Sequence, residues 1–286
     1  MKVPSSLEPL MECMMIDEVL YRLMSGKEAE VFVVRKDQEI FCAKVYKESN
    51  NRSFRQMATY TEGRKVRDSR QSRAMQKKSK FGRKETESEW QRAEVDALYL
   101  LADAGVRVPH ARAFIDGVLL MEMICDESGD PAPRLHEVDF SPDQAATCFR
   151  FLVGEATRML CAGIVHGDLS EFNVLLAFDG PVIIDFPQAV MATANNAFMF
   201  FQRDVNQLRA FFAKFAPEVA QSDYAPEIWA HFQRGKLLPD TPLTGTFQHS
   251  KRAADVRSVM DNIQGAKDDE DERRGVKRKV NFRRDR

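Results

Sequence analysis

Asp168, Asn173 and Asp185 are the side chains best suited to chemistry, and their spacing says which chemistry. Asp168 and Asn173 sit five residues apart in His166-Gly167-Asp168-Leu169-Ser170-Glu171-Phe172-Asn173, which reads as a tight loop. Asp185 follows Pro181-Val182-Ile183-Ile184, a short apolar run expected to form a buried strand. A carboxylate at 168 can accept the proton of a hydroxyl. An amide at 173 and a carboxylate at 185 are hard oxygen donors that can hold Mg²⁺ against nucleotide phosphates. A base beside a metal clamp is the equipment of phosphoryl transfer. Singly, each residue has a plainer reading: an Asp after a glycine caps a turn, and Asn is a common turn residue. The joint spacing separates the two readings. His166 is expected to be a structural, hydrogen-bonding histidine rather than a proton donor.

These residues need a scaffold. Residues 9–24 read as a short amphipathic helix, with a strand ending near Met24. Ser25-Gly26-Lys27-Glu28-Ala29 reads as the turn into a strand at Val31–Val34, and Ile40–Tyr46 as the next strand, so a β-meander is expected. Residues 52–84 hold twelve Lys and Arg against Glu62 and Asp68, the composition of a mobile loop. From Glu85, Trp90, Val95, Leu98, Leu101 and Ala102 recur at helical spacing, and Gly105 stops the helix. Ala113–Ile115 and Val118–Ile124 flank an Asp116-Gly117 turn. Ser141-Pro142-Asp143 caps a helix running to Cys161 before Gly163, and two more helices are expected near 200–216 and 224–234. The tail has five acids at 268–272 and then a basic end, the pattern of a disordered charged segment. Strands first and helices after imply an α+β arrangement of two lobes with a cleft between them.

Composition narrows the function classes. The chain has 286 residues, with 42 Lys and Arg against 43 Asp and Glu, so its net charge of −1 gives no global attraction to nucleic acid. No stretch approaches the length of a membrane span and the start lacks the features of a signal peptide, so a soluble, cytoplasmic protein without membrane contact is expected. Five scattered cysteines with no C-x-x-C read as reduced thiols packed as small apolar groups.

Lys44 lies inside the apolar run Phe41-Cys42-Ala43-Lys44-Val45. Alone it would read as a surface lysine on an edge strand. After a glycine-containing hairpin it resembles the V-A-I-K strand of protein kinases, whose lysine holds nucleotide phosphates and pairs with a helix glutamate. Glu94 is the expected partner, with Glu89 second. Ser25-Gly26-Lys27-Glu28-Ala29-Glu30-Val31 departs from G-x-G-x-x-G-x-V, keeping only Gly26 and Val31. Ser25 and backbone N–H groups are then expected to carry more of the phosphate contact, with the charges of Lys27 and Glu28 near the nucleotide.

Taken together, Ser25–Val31, Lys44, Leu119-Leu120-Met121-Glu122, His166–Asn173 and Ile184–Val190 resemble the RIO family of atypical protein kinases over about residues 20–215. Arg203-Asp204-Val205-Asn206 fits as the element bracing the catalytic loop. The resemblance implies an α+β, two-lobed protein-kinase-like fold, with an antiparallel β-sheet lobe and then a mainly helical lobe. It implies ATP with Mg²⁺ or Mn²⁺, and phosphorylation of Ser/Thr in a protein substrate or in the chain itself. Asp168 and Ser170 would serve catalysis, Ser170 standing where protein kinases carry a lysine. Asn173 and Asp185 would bind metal. Ser25, Gly26, Lys27, Glu28, Val31, Lys44, Glu94, Met121, Glu122, Met123 and Ile124 would line the nucleotide site. The implied domains are a helical extension at 1–24, an N-lobe at 25–124 with a flexible basic loop at 48–88, a C-lobe at 125–250 and a tail at 251–286. Gly-Lys-Glu-Ala at 26–29 is typical of the first RIO subfamily and Asp185-Phe186-Pro187-Gln188 of the second, a mixture that fits a bacterial or divergent branch.

The family also allows an ATPase switch in which Asp185 accepts the phosphate. Two other classes compete. Small-molecule kinases of the aminoglycoside or choline type share His-Gly-Asp-Leu-x-x-x-Asn, but they lack the Gly-Lys-Glu-Ala loop and call for more acidic residues than 216–250 supplies. A ribosome- or RNA-binding role would use the basic segments 52–84 and 273–286, where aromatic residues for base stacking are few.

Overall fold

Alternation of side chains along consecutive strands explains the N-terminal half of the structure, a computed structural model describing residues 3–26, 28–47 and 80–247, with 80–91 as backbone alone. Strands β1 (Glu18–Ser25), β2 (Ala29–Lys36) and β3 (Glu39–Tyr46) form a meander. A hairpin of β4 (Ala111–Ile115) and β5 (Val118–Glu122) completes an antiparallel sheet in the order β1-β2-β3-β5-β4. Successive strand residues point to opposite faces. Phe32, Val34, Phe41, Ala43, Val118 and Leu120 therefore share one face, where they bury Leu7 and Leu10 of the N-terminal segment. Val31, Cys42, Lys44, Tyr46 and Met121 take the other face, which lines a cleft. Register sets Lys44 between Val31 of β2 and Leu119 of β5, at the centre of the sheet. It is not on an edge strand.

Helix α1 spans only Glu8–Glu12, preceded by a 3-10 turn at Ser5–Leu7. The helix expected over 9–24 therefore divides, and Glu18–Ser25 is strand. Met14, in a left-handed backbone (φ 55°), marks the break. Helical spacing joined Leu10 and Met14 to Val19 and Leu20, but Leu10 belongs to α1, Val19 and Leu20 to β1, and Met14 lies exposed between them; Leu10 and Val19 meet on one core. Helix α2 runs Lys80–Asp103, so it begins five residues before the expected Glu85, and 80–88 is helical where a flexible loop was expected. It stops before Gly105, whose φ of 74° suits glycine. Residues 48–79 and 248–286, which hold most of the expected basic loop and all of the charged tail, lie outside the described residues.

The second half is mainly helical. Helix α3 (Pro142–Cys161) opens with a reciprocal Ser141/Gln144 capping box and Pro at its first turn. It packs against α4 (Ala197–Phe212) and α5 (Tyr224–Gln233). Phe140, Phe149, Phe211, Phe212 and Phe215 interlock there, mostly edge to face. Two short antiparallel ladders carry the polar loop: β6 (Ile164–Val165) with β9 (Val190–Met191), and β7 (Val174–Ala177) with β8 (Gly180–Ile183). No helix among the described residues is long and apolar enough to cross a membrane.

Candidate active site

Lys44 is buried in the sheet, and two carboxylates account for its charge. Its Nζ donates to Glu94 Oε1 at 2.6 Å and to Asp185 Oδ1 at 2.8 Å. Glu94 projects from α2 and is 3% exposed, so an unpaired charge there would be costly. Its second oxygen accepts the Tyr46 hydroxyl at 2.6 Å. Tyr46 is two residues beyond Lys44 on the same face of β3, and the Lys44 Nζ lies 5.4 Å from its ring centroid. Burial works against the Lys44 ammonium, but Glu94 and Asp185 outweigh it and hold the lysine charged above its usual range.

Asp185 follows β8 with φ 71°, a left-handed backbone rare for a residue other than glycine. Such strain persists where the surroundings enforce it, often at functional sites. Burial would raise its pKa, but Lys44 overrides that and keeps the carboxylate ionised. The Asp185 side chain is 44% exposed, and the space it faces is the cleft.

The loop 166–173 is bonded directly to this strand end. His166 Nε2 donates to the Ile184 carbonyl at 3.1 Å, and Nδ1 accepts the Asp168 N–H at 3.2 Å. That pair of bonds requires the neutral tautomer, and burial lowers the His166 pKa accordingly. The Asn173 carbonyl accepts the Ile184 N–H at 3.0 Å. Below the loop, Asp204 of α4 accepts the N–H of Gly167 at 2.7 Å and of Leu169 at 3.1 Å, while Arg203 donates to the Gly167 carbonyl. Asp204 is 2% exposed, and burial pushes its pKa up to about 7 against the pull of those N–H groups. Asp168 itself is exposed. Asn173 is buried; its Nδ2 donates to the Asp168 carbonyl at 2.9 Å and to Oδ2 at 3.3 Å, which leaves its Oδ1 as the atom able to ligate a cation.

A cleft of about 810 Å³ lies against the inner face of the sheet. Gly26, Glu28, Val31, Lys44, Glu94, Met121, Glu122, Met123, Ile124 and Asp185 of the expected site line it. Burial and the neighbouring Asp185 charge raise the Glu28 pKa. Asp168, Ser170 and Asn173 stand in the adjoining loop and are not part of the cleft lining. Ser170 is 8% exposed, and its carbonyl closes the turn by accepting the Asn173 N–H at 3.0 Å. Ser25 is not among the residues lining the cleft. Its hydroxyl donates to Glu30 at 2.9 Å and accepts Lys47 Nζ at 3.0 Å. Lys47 also donates to the Gly26 carbonyl at 2.8 Å, fixing the turn. Lys27 lies outside the described residues.

Sequence reasoning missed Tyr46, Lys47 and Arg134. Tyr46 carried one usable signal, its i+2 spacing from Lys44. Arg134 carried none, because its partners at 24 and 172 are brought to it by the fold.

Two oxygen donors, Asn173 and Asp185, fit Mg²⁺, which takes one or two protein oxygens and completes its shell with phosphate and water. Among the described residues no three of His, Cys, Asp and Glu converge as a metal cage.

Comparison with known proteins bears on the fold. The family model described as RIO domain matches residues 30–225. A RIO-type serine/threonine-protein kinase Rio1 from Haloferax volcanii is 35% identical over 193 residues, covering 67% of this chain and 62% of that protein. The chain thus spans less than two thirds of that relative's length. Among solved structures, the Rio2 kinase from Chaetomium thermophilum superposes with a TM-score of 0.58 at 21% identity, covering 91% of this chain and 76% of that one. Its ADP/Mg²⁺–phosphoaspartate complex gives 0.52 at 22% identity, covering 73% of this chain and 59% of that one. These likenesses fix the fold as α+β and two-lobed, an antiparallel sheet followed by helices.

Proposed function

The chain belongs to the RIO family, and on that premise we propose that it is an ATP-dependent protein kinase acting on serine or threonine, its own included. Asp168 is the general base. The substrate oxygen attacks the γ-phosphorus, the bond from that phosphorus to the β–γ bridging oxygen breaks, ADP departs, and the hydroxyl proton passes to Asp168. Lys44 holds phosphate oxygens, oriented by Glu94, and Met121–Ile124 flank the adenine. Asn173 and Asp185 would hold Mg²⁺ or Mn²⁺. The ion, when bound, neutralises charge on the phosphates. Ser170, too buried to meet a protein substrate, acts through the turn it closes. The reading includes a cytoplasmic setting, where the free cysteines stay reduced. It also includes a ribosomal particle or RNA as a partner of the basic segments 52–84 and 273–286, to be tested by salt-sensitive co-sedimentation.

One observation carries the proposal: Asp185, in a left-handed backbone, meets Lys44 at 2.8 Å on the wall of the cleft, and the loop bearing Asp168 is bonded to the same strand end. Transfer of label from γ-labelled ATP to a serine-rich protein should fall about 10²–10⁴-fold in Asp168→Ala. Unchanged transfer would remove Asp168 from the reaction.

A second reading has its own support. Asp185 is a carboxylate held ionised in the cleft, and one Chaetomium thermophilum Rio2 structure is an ADP/Mg²⁺–phosphoaspartate complex. In this ATPase switch an Asp185 oxygen attacks the γ-phosphorus, ADP leaves, and water later cleaves the acyl phosphate. Label on the protein itself would then be released by hydroxylamine, persist in Asp168→Asn and be absent from Asp185→Ala. Hydroxylamine-resistant label would assign the phosphate to Ser or Thr.

A further inference from the structure

The Arg134 side chain contacts both the end of β1 and the loop 166–173. Its main chain is tied to the strand after that loop: Arg134 bridges Leu175, and the Pro133 carbonyl accepts the Leu176 N–H at 2.8 Å. Its own N–H is occupied by Glu137 Oε2 at 2.8 Å, which holds the backbone at the start of a 3-10 turn. From this anchored base the guanidinium reaches two ways. Nη1 donates to the Phe172 carbonyl at 2.7 Å, and Nη2 meets Met24 Sδ at 3.2 Å. The Phe172 carbonyl belongs to the peptide bond leading into Asn173. The Phe172 ring rests against His136 (centroids 4.6 Å apart), a second hold on the same residue. Met24 is next to Ser25, where β1 turns into the glycine loop. Arg134 and Met24 both line the cleft.

We propose that Arg134 is a positioning residue that couples the phosphate loop to the metal-binding amide of Asn173. Its two arms tie both segments to one rigid, planar group. A guanidinium presents several N–H donors in a fixed fork, whereas an ammonium is a point charge on a flexible stem. The thioether is a weak acceptor, so the Met24 arm is the one that yields when the phosphate loop moves, while the Phe172 arm keeps Asn173 aligned. The inference rests on reading Asn173 as a metal ligand.

The test measures binding of a fluorescent ADP analogue to the full chain as Mg²⁺ is titrated. In Arg134→Ala the half-saturating Mg²⁺ should rise about 10–100-fold, the usual cost of removing a group that orients a metal ligand. Arg134→Lys should stay close to Arg134→Ala, since it restores charge but not the fork. Met24→Leu cuts only the weak arm, so the coupling should show as a smaller rise in the Mg²⁺ midpoint than in Arg134→Ala, and a wild-type midpoint there would overturn it. Thermal unfolding separates these effects from misfolding, and Arg134→Lys, which keeps the aliphatic stem, carries the test if Arg134→Ala fails to fold. A wild-type Mg²⁺ midpoint in a folded Arg134 variant, or full rescue by lysine, would overturn the coupling and leave the kinase reading intact. Wild-type protein whose nucleotide binding ignores Mg²⁺ would overturn both.

Discussion

Lys44 and Asp168 serve one proposed reaction but are held by opposite means. Lys44 sits at the centre of a sheet, fixed by charge: two carboxylates share its ammonium, and a tyrosine hydroxyl holds one of them. Asp168 is exposed, and its position is set by the backbone N–H groups of residues 167–169, which donate to the His166 and Asp204 side chains. The difference follows from what each must meet. A phosphate anchor can lie deep, because a nucleotide is small and enters the cleft. A base for a protein hydroxyl has to stand where a large partner can approach, so precision there comes from the loop beneath it. Charge fixes one and main-chain geometry the other, and changes of residue and of pH should act on the two differently.

The largest effect should come from Lys44→Met. It removes the proposed phosphate anchor and also strands Glu94, which is 3% exposed. Removing one partner of a buried pair costs about 3–5 kcal/mol, and the low end applies because Tyr46 still donates to Glu94. Urea unfolding should register that loss in Lys44→Met and little change in Asp168→Ala, although both lose activity. The double variant Lys44→Met, Glu94→Leu should regain much of the stability without regaining turnover, since an apolar pair replaces a broken ionic one. Equal stability losses in Lys44→Met and Asp168→Ala would erase the contrast.

Next in size is a pH effect confined to the loop. Burial raises the Asp204 pKa from 3.8 to about 7, so its proton is bound more tightly in the folded state. Stability from this group is full below pH 3.8 and is lost as pH climbs to about 7. His166 runs the other way. Burial lowers its pKa below 6.5, so its contribution is present above that pH and is lost as pH falls. The two slopes oppose each other in wild type. His166→Asn should expose the decline with rising pH, and Asp204→Asn the decline with falling pH. Each slope is limited to about 1.4 kcal/mol per pH unit for one proton. Denaturant midpoints at pH 5, 6 and 7 would read both, and flat profiles in both variants would remove the opposition.

The same contrast governs what was legible in the sequence. The loop and the proposed metal ligands could be picked out because they are local in sequence: Asp168, Asn173 and Asp185 fall within one short stretch, and β8 is marked by its apolar run. The meander and α3 were also legible, the first from alternation and the second from its Ser141-Pro142 start. Glu94 was legible as a helix glutamate facing a lysine strand, although choosing it over Glu89 needed the register of α2. Residues 9–24 misled because one apolar spacing spans a helix and an edge strand, with the break at Met14 unmarked by Gly or Pro. Ser25 looked like a phosphate ligand, but Glu30 and Lys47 claim its hydroxyl. Arg134 was invisible for the reason that makes it interesting: its contacts lie 110 and 38 residues away.

Tyr46→Phe should give the smallest effect and the sharpest test of how Lys44 is held. It deletes one oxygen and leaves the ring, so the edge contact with Phe114 (centroids 6.4 Å apart) and the approach of Lys44 to the ring both remain. What goes is the donor to Glu94 Oε2. Burial raises the Tyr46 pKa, with Glu94's charge acting in the same direction, so this hydroxyl stays protonated and donates across the working pH range. A hydrogen bond to a charged group contributes about 1.5–3 kcal/mol, and part of that should be recovered as Glu94 turns further toward Lys44. The expected result is a modest stability loss and a raised KM for ATP with kcat nearly unchanged. If turnover instead fell as far as in Lys44→Met, the hydroxyl rather than the ion pair would be setting the lysine, and the deep side of the site would be positioned by directed hydrogen bonds just as the exposed loop is.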